Sequence, residues 1–108
     1  MSFLIVECVA RPLTKDHKPD DPEELKVIEA AGGRVDSYRD SQGKKVGPER
    51  VWLKHEDIPG LAMSRSFGDQ VAARVGVNAV PEITECHMSS SDKVIILASD
   101  GVWEFLEN

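Results

Sequence analysis

Apolar residues in this chain come in short separate groups, and their spacing changes from one group to the next. The first ten residues, MSFLIVECVA, form one group rich in β-formers and predict a strand bounded by Arg11 and Pro12. A polar stretch, KDHKPDD, follows Leu13 and Thr14. A helix should then start with Asp21 as N-cap and Pro22 in the first position, with Glu24 closing a capping box. Leu25 with Ile28 and Val27 with Ala31 give that helix an apolar stripe, and Gly32 and Gly33 should end it.

Beyond the glycines, Arg34 to Tyr38 suits a strand, Arg39 to Glu49 a polar loop or long hairpin, and Arg50 to Lys54 a weak alternation. HEDIPG is a turn, Leu61 to Met63 a short apolar run, and Gly68 a bend before a short helix over Asp69 to Val75. Ala79 to Cys86 alternates loosely, with Pro81 favouring a sheet edge, and Ser89 to Asp92 is a turn. Lys93 to Ala98 stands apart. Val94, Ile95, Ile96, Leu97 and Ala98 are all apolar, as in a strand covered on both faces. A last helix is expected from Val102 to Asn108. With 108 residues there is room for one small domain of α+β type.

Charge narrows the partners. The formal net charge is −6, and neither half of the chain is basic, which argues against nucleic acid. No run approaches the length of a membrane span, and residues 3–6 are too few for the apolar region of a secretion signal. Cys8 and Cys86 lie far apart and outside any CxxC pattern, so buried free thiols in a reducing intracellular compartment, cytoplasmic or nuclear, are expected.

Few residues suggest chemistry by pattern. There is no glycine-rich phosphate loop, no HExxH and no GxSxG, and His17, His55 and His87 are too dispersed for a zinc site. One constellation stands out, Asp100-Gly101 after the apolar run, with Glu104 one helical turn on. Two hard oxygen donors so placed suit magnesium or manganese. The competing reading makes Asp100 a helix cap and Glu104 a solvated side chain.

Five blocks, in order, change the balance between those readings. LTKDHKPDDPEE (Leu13 to Glu24), EAAGGRV (Glu29 to Val35), LAMSRSFGD (Leu61 to Asp69), PEI (Pro81 to Ile83) and VIILASDGVWE (Val94 to Glu104) resemble the metal-dependent type 2C serine/threonine protein phosphatases. The resemblance covers residues 12–108, and residues 1–11 match less well. It implies part of an α-β-β-α four-layer sandwich with antiparallel sheets. It also implies two magnesium or manganese ions, and phosphoserine and phosphothreonine proteins as substrates. Paired divalent ions activate water and neutralise the charge of the ester, which suits an acidic protein acting on anions.

Position by position, the resemblance makes Asp100 a metal ligand beside Gly101. Glu104 stands where many members carry an aspartate for an additional, weaker metal, and its longer side chain departs from that pattern. Arg65 and Asp69 become supporting residues, and Leu61 to Met63 an inner strand. The segment 36–60 corresponds to the family's flap, a loop region in which Lys44, Lys45 and Arg50 are candidates to meet a phosphopeptide.

The family's other acidic ligand blocks and its phosphate-binding arginine have no match here. The chain is therefore expected to be an incomplete, inactive C-terminal portion of the catalytic domain. The alternative is a non-catalytic, phosphatase-like binding module, and a small domain without metal chemistry is the remaining option. Half a sandwich would expose inner apolar faces, so a homo-oligomer is expected as well.

Overall fold

A computed structural model of the chain describes residues 9–106. They fall into two units, residues 16–82 and a second built from 9–15 with 83–106. Residues 1–8 of the expected opening strand lie outside the described residues, and Val9 and Ala10 are not in a strand.

In the unit 16–82, helix α1 (Pro22–Ala30) begins as its sequence dictates. Asp21 is the N-cap, its carboxylate accepting from the Glu23 N–H at 3.2 Å, and Pro22 occupies the first turn. The expected capping box does not form, because the Glu24 carboxylate turns to Arg65 instead. Gly32 adopts φ 82° just beyond the helix and ends it. The apolar stripe is narrower than its spacing suggested. Ile28 is 1% exposed, while Val27 remains 49% exposed.

A three-stranded antiparallel sheet follows, in the order β1 (Arg34–Arg39), β2 (Lys45–Trp52), β3 (Pro59–Leu61). Asp40 makes the first turn, its carboxylate accepting from the N–H groups of Gln42 and Lys44, both at 2.9 Å. The polar stretch after Arg39 is thus a paired hairpin. Segment 36–60, which the resemblance likens to a flap, holds the end of β1, all of β2 and the start of β3. Register slips between Asp36↔Arg50 and Tyr38↔Val46, so three residues of β2 oppose one of β1. Gly47 and Pro48 lie in that bulge, where proline's missing donor costs no ladder bond. The expected inner strand 61–63 is also corrected. Only Leu61 belongs to β3, which pairs with β2 alone among the described strands.

The two faces of the sheet differ. Val51, fully buried, joins Ile28, Ala72, Val75 and Val77, with Val35, Leu53 and Leu61 packed around them. On the other face Trp52 is 5% exposed beneath Tyr38 and Arg34, and its indole N–H donates to the Asp36 carbonyl at 2.8 Å. Helix α2 (Gln70–Ala73) starts at Asp69, which accepts from the Ala72 N–H at 3.1 Å. Gly76 then brings the chain back against α1 with φ 91°. A Cβ there would lie 2.8 Å from the Val27 carbonyl oxygen and 2.9 Å from Ile28 Cα.

The second unit is less regular. Ser89 to Asp92 forms the expected turn, the Asp92 N–H donating to the Ser89 carbonyl at 3.1 Å. Ala79 to Cys86 contains no strand, and neither does Lys93 to Ala98. Val94, Ile96 and Leu97 are 76%, 67% and 93% exposed. A central strand needs ladder partners for its N–H and C=O groups and cover on both faces, and the described residues give this run neither. Helix α3 (Asp100–Trp103) starts two residues earlier than expected, with Ser99 at the N-cap. No helix among the described residues is long and apolar enough to cross a membrane.

Packing sets the order of sensitivity to substitution. Ile28→Ala should cost on the order of 2–5 kcal/mol in urea unfolding, whereas Val27→Ala on the solvent side of the same helix should cost under about 0.5 kcal/mol. Gly76→Ala combines left-handed backbone with overpacking and should cost on the order of 2–4 kcal/mol. Equal effects at positions 27 and 28 would contradict this packing.

Candidate functional site

Ser99, at the N-cap of α3, makes no side-chain cap bond. Asp100 is therefore the first helical residue, which removes the reading of Asp100 as the cap. Its carboxylate is exposed and makes no hydrogen bond or ion pair among the described residues. The Glu104 N–H donates to the Asp100 carbonyl at 2.9 Å, so the two acidic residues are one turn apart along the same face. Trp103 fastens the turn, its indole N–H donating to the Ala98 carbonyl at 2.9 Å. A Cβ at Gly101 would meet only Ser99 Oγ, at 3.5 Å, so local packing does not require glycine there.

A magnesium or manganese ion takes about six oxygen donors. Asp100 and Glu104 bring two carboxylates of the right hardness. Among the described residues no three His, Cys, Asp or Glu side chains cluster closely enough to hold a metal. These residues alone do not complete a site for the ion.

The supporting residues have definite partners in the unit 16–82. Arg65 Nη2 and Nε donate to the two oxygens of Glu24 at 2.5 and 3.2 Å, and Nη1 donates to the Val80 carbonyl at 2.8 Å. Glu24 is 9% exposed. The Arg65 hydrogen bonds hold its carboxyl below the ordinary 4.5 despite the opposing effect of burial, with the Ser64 hydroxyl and His17 acting in the same direction. His17 Nε2 and Glu82 Oε2 meet at 3.1 Å. Pro19, in the same block as His17, is fully buried.

On the hairpin, Lys45 is bound to Asp36 at 3.1 Å and to Glu49 at 2.8 Å. Arg50 donates to the Gly60 carbonyl at 2.7 Å and lies over Tyr38, 4.9 Å from its ring centre. Only Lys44 of the three candidate cations has a side chain without a partner among the described residues. Asp36, held by Lys45 and Arg39, is pulled down to about 2. Cys86 is an exposed free thiol that accepts from Arg11 Nη2 at 3.1 Å, contrary to the expected burial, while Cys8 lies outside the described residues. His55 and His87 are exposed loop residues.

The five ordered blocks are thus laid over a tied framework in one unit and a short acidic turn in the other. The chain matches protein phosphatase 2C over residues 4–108 and belongs to that family. It is similar to probable protein phosphatase 2C 12 of Oryza sativa subsp. japonica, 47% identical over 96 residues, which cover 89% of this chain and 24% of the relative. Probable protein phosphatase 2C 52 of Arabidopsis thaliana is 47% identical over 102 residues, covering 93% of this chain and 20% of the relative. For probable protein phosphatase 2C 72 of the same plant the figures are 44% over 102 residues, 94% and 30%. The chain therefore spans well under a third of these curated relatives. No solved structure matches it.

Sequence reasoning missed the pairs Glu24–Arg65 and His17–Glu82. All four residues lie inside the blocks that carried the resemblance, and the opposite charges of Glu24 and Arg65 were the available signal.

The lowered Glu24 pKa fixes the sign of a pH effect. Its stabilising contribution is complete above the ordinary glutamate value and is lost as pH falls through the lower folded value. Stability in urea should hold from pH 7 down to about 5 and decline below about 4.5. Glu24→Gln should remove the part of the decline that begins near 4.5, leaving the Asp36 part between 3.8 and about 2. An unchanged acid profile in that variant would rule out Glu24 as the group responsible.

Proposed function

We propose that this chain is part of a catalytic domain that hydrolyses phosphoserine and phosphothreonine in proteins, with magnesium or manganese as cofactor. The single observation that carries the reading is the match to protein phosphatase 2C across residues 4–108. Asp100 is the metal ligand, Glu104 stands where many members carry an aspartate for an additional, weaker metal, and Gly101, Arg65 and Asp69 are supporting residues. The exposed, unbonded carboxylate of Asp100 supports its role, since a ligand must keep its oxygens free for the ion. The complete domain is the α-β-β-α four-layer sandwich, in which the hairpin 36–60 corresponds to the flap and Lys44 is the cation left for a phosphopeptide. The exposed, free Cys86 thiol suits a reducing compartment, cytoplasmic or nuclear.

The short donor set favours a further statement. Taken alone, the chain binds metal weakly and turns over little or no substrate, since among the described residues no three His, Cys, Asp or Glu side chains cluster to hold an ion. The same observation supports the second reading, a non-catalytic phosphatase-like module that acts by holding a partner. With a phosphothreonine peptide and millimolar manganese, the chain should release no phosphate above background. Turnover abolished by Asp100→Ala would overturn the inactive reading. A domain extended on either side to the length of the relatives should be active, and Asp100→Asn should lower its kcat by at least about a hundredfold. An extended domain that stays inactive with both metals favours the binding module.

Val94 to Leu97 also supports self-association, because an open apolar run of this kind drives one copy onto another. Light scattering at micromolar concentration should give a mass above the 11.9 kDa of one chain. A compact monomer would exclude the homo-oligomer.

A further inference from the structure

Residues 78–82 close the unit 16–82, with one isolated β-bridge from Asn78 to Arg65 and no strand. Val77 is 4% exposed and belongs to the core, whereas Ala79 to Glu82 are exposed, Val80 at 64%. No buried side chain from residue 79 onward holds this stretch down. Its attachments are polar. Ser66 donates its N–H to the Asn78 carbonyl at 3.0 Å, Arg65 donates to the Val80 carbonyl, and His17 meets Glu82. The Val80 N–H bonds back to Asn78 Oδ1 at 3.0 Å, which shapes the stretch but does not anchor it.

The groups that hold it are themselves fixed. Glu24 grips Arg65 by two bonds, and the His17 carbonyl accepts from the Ser64 N–H at 3.0 Å. We propose that residues 78–82 form a releasable strap, fastened at Asn78 by the Ser66 N–H, at Val80 by Arg65 and at its end by His17, and that it opens while the sheet and core stay folded. Two features lead to this. The fastenings are single hydrogen bonds on a stretch exposed to water, and such bonds hold less firmly than buried apolar packing. The strap also begins directly after Val77, the last core residue, so it contributes no side chain to the core cluster. Release would free Glu82 and the Arg65 Nη1 donor for other partners. It would also loosen the segment by which the chain passes to residue 83.

Amide hydrogen exchange on the intact chain tests this, with Ser66 reporting on the strap and the paired amides of β1 and β2 reporting on the sheet. Ser66 should exchange on the order of tenfold or more faster than the slowest sheet amide, by an opening that low urea does not accelerate. Glu82→Ala should speed Ser66 about two- to fivefold and leave the sheet amides unchanged. His17→Ala should do the same, and the double variant should add little, since both remove one contact. The strap is disproved if Ser66 exchanges only in step with the sheet, if neither single variant moves it, or if its amide is unprotected in the unaltered chain.

Discussion

The ion pair between Glu24 and Arg65 is the constraint around which the larger unit is arranged. A carboxylate that is 9% exposed would be costly without a partner, and the planar guanidinium supplies two parallel donors. Because Arg65 also reaches the Val80 carbonyl, one side chain ties α1, the turn at 64–66 and the exit segment together. This also explains the missing capping box. The Glu24 side chain has one set of oxygens, and charge-assisted bonds to Arg65 compete successfully with one neutral N–H at the helix start.

This polar frame matters because the apolar core is small. Five buried side chains, Ile28, Val51, Ala72, Val75 and Val77, form it, and only Ile28 among them is large. The opposite face of the sheet has a different solution. Trp52 is buried by Tyr38 edge-on at 5.3 Å and by Arg34 at 5.4 Å, so aliphatic stems and ring faces do the covering that a second apolar layer would otherwise do. Arg34 is fixed in turn by the Leu53 carbonyl and by Asp57. Both faces thus end in charged groups that are bonded within the unit.

How much of this was legible depended on how local the cause was. Asp21, Pro22 and the glycine pair defined α1 because capping acts within one turn, and Asp69 likewise announced α2. The hairpin was legible only as an alternative to a loop. Its strands alternate only briefly, at Arg34-Val35-Asp36 and Lys45-Val46, and the two-residue excess around Gly47-Pro48 breaks the period. Glu24–Arg65 is separated by 41 residues and His17–Glu82 by 65, and no local rule joins residues so far apart. Of the candidate site, the helical spacing of Asp100 and Glu104 was legible. The start of α3 was not, because Ser99 and Asp100 are equally suited to an N-cap and only backbone geometry separates them.

The apolar run before α3 and the acidic turn after it make the same demand on their surroundings. Val94 to Ala98 has the composition of a strand enclosed on both sides, yet the side chains of Val94 to Leu97 face solvent. Asp100 has the hardness of a divalent-metal ligand, yet its neighbours supply one further carboxylate. A strand is completed by ladder partners, and an ion by additional oxygens. In both cases the requirement is for groups that come from elsewhere than the adjoining sequence. Relatives three to five times the matched length have room for both. A carboxylate placed where an enclosed strand ends would be held rigidly, as a metal ligand must be, only after that strand is paired. On the proposed reading, pairing of Val94 to Ala98 would also fix the position of Asp100.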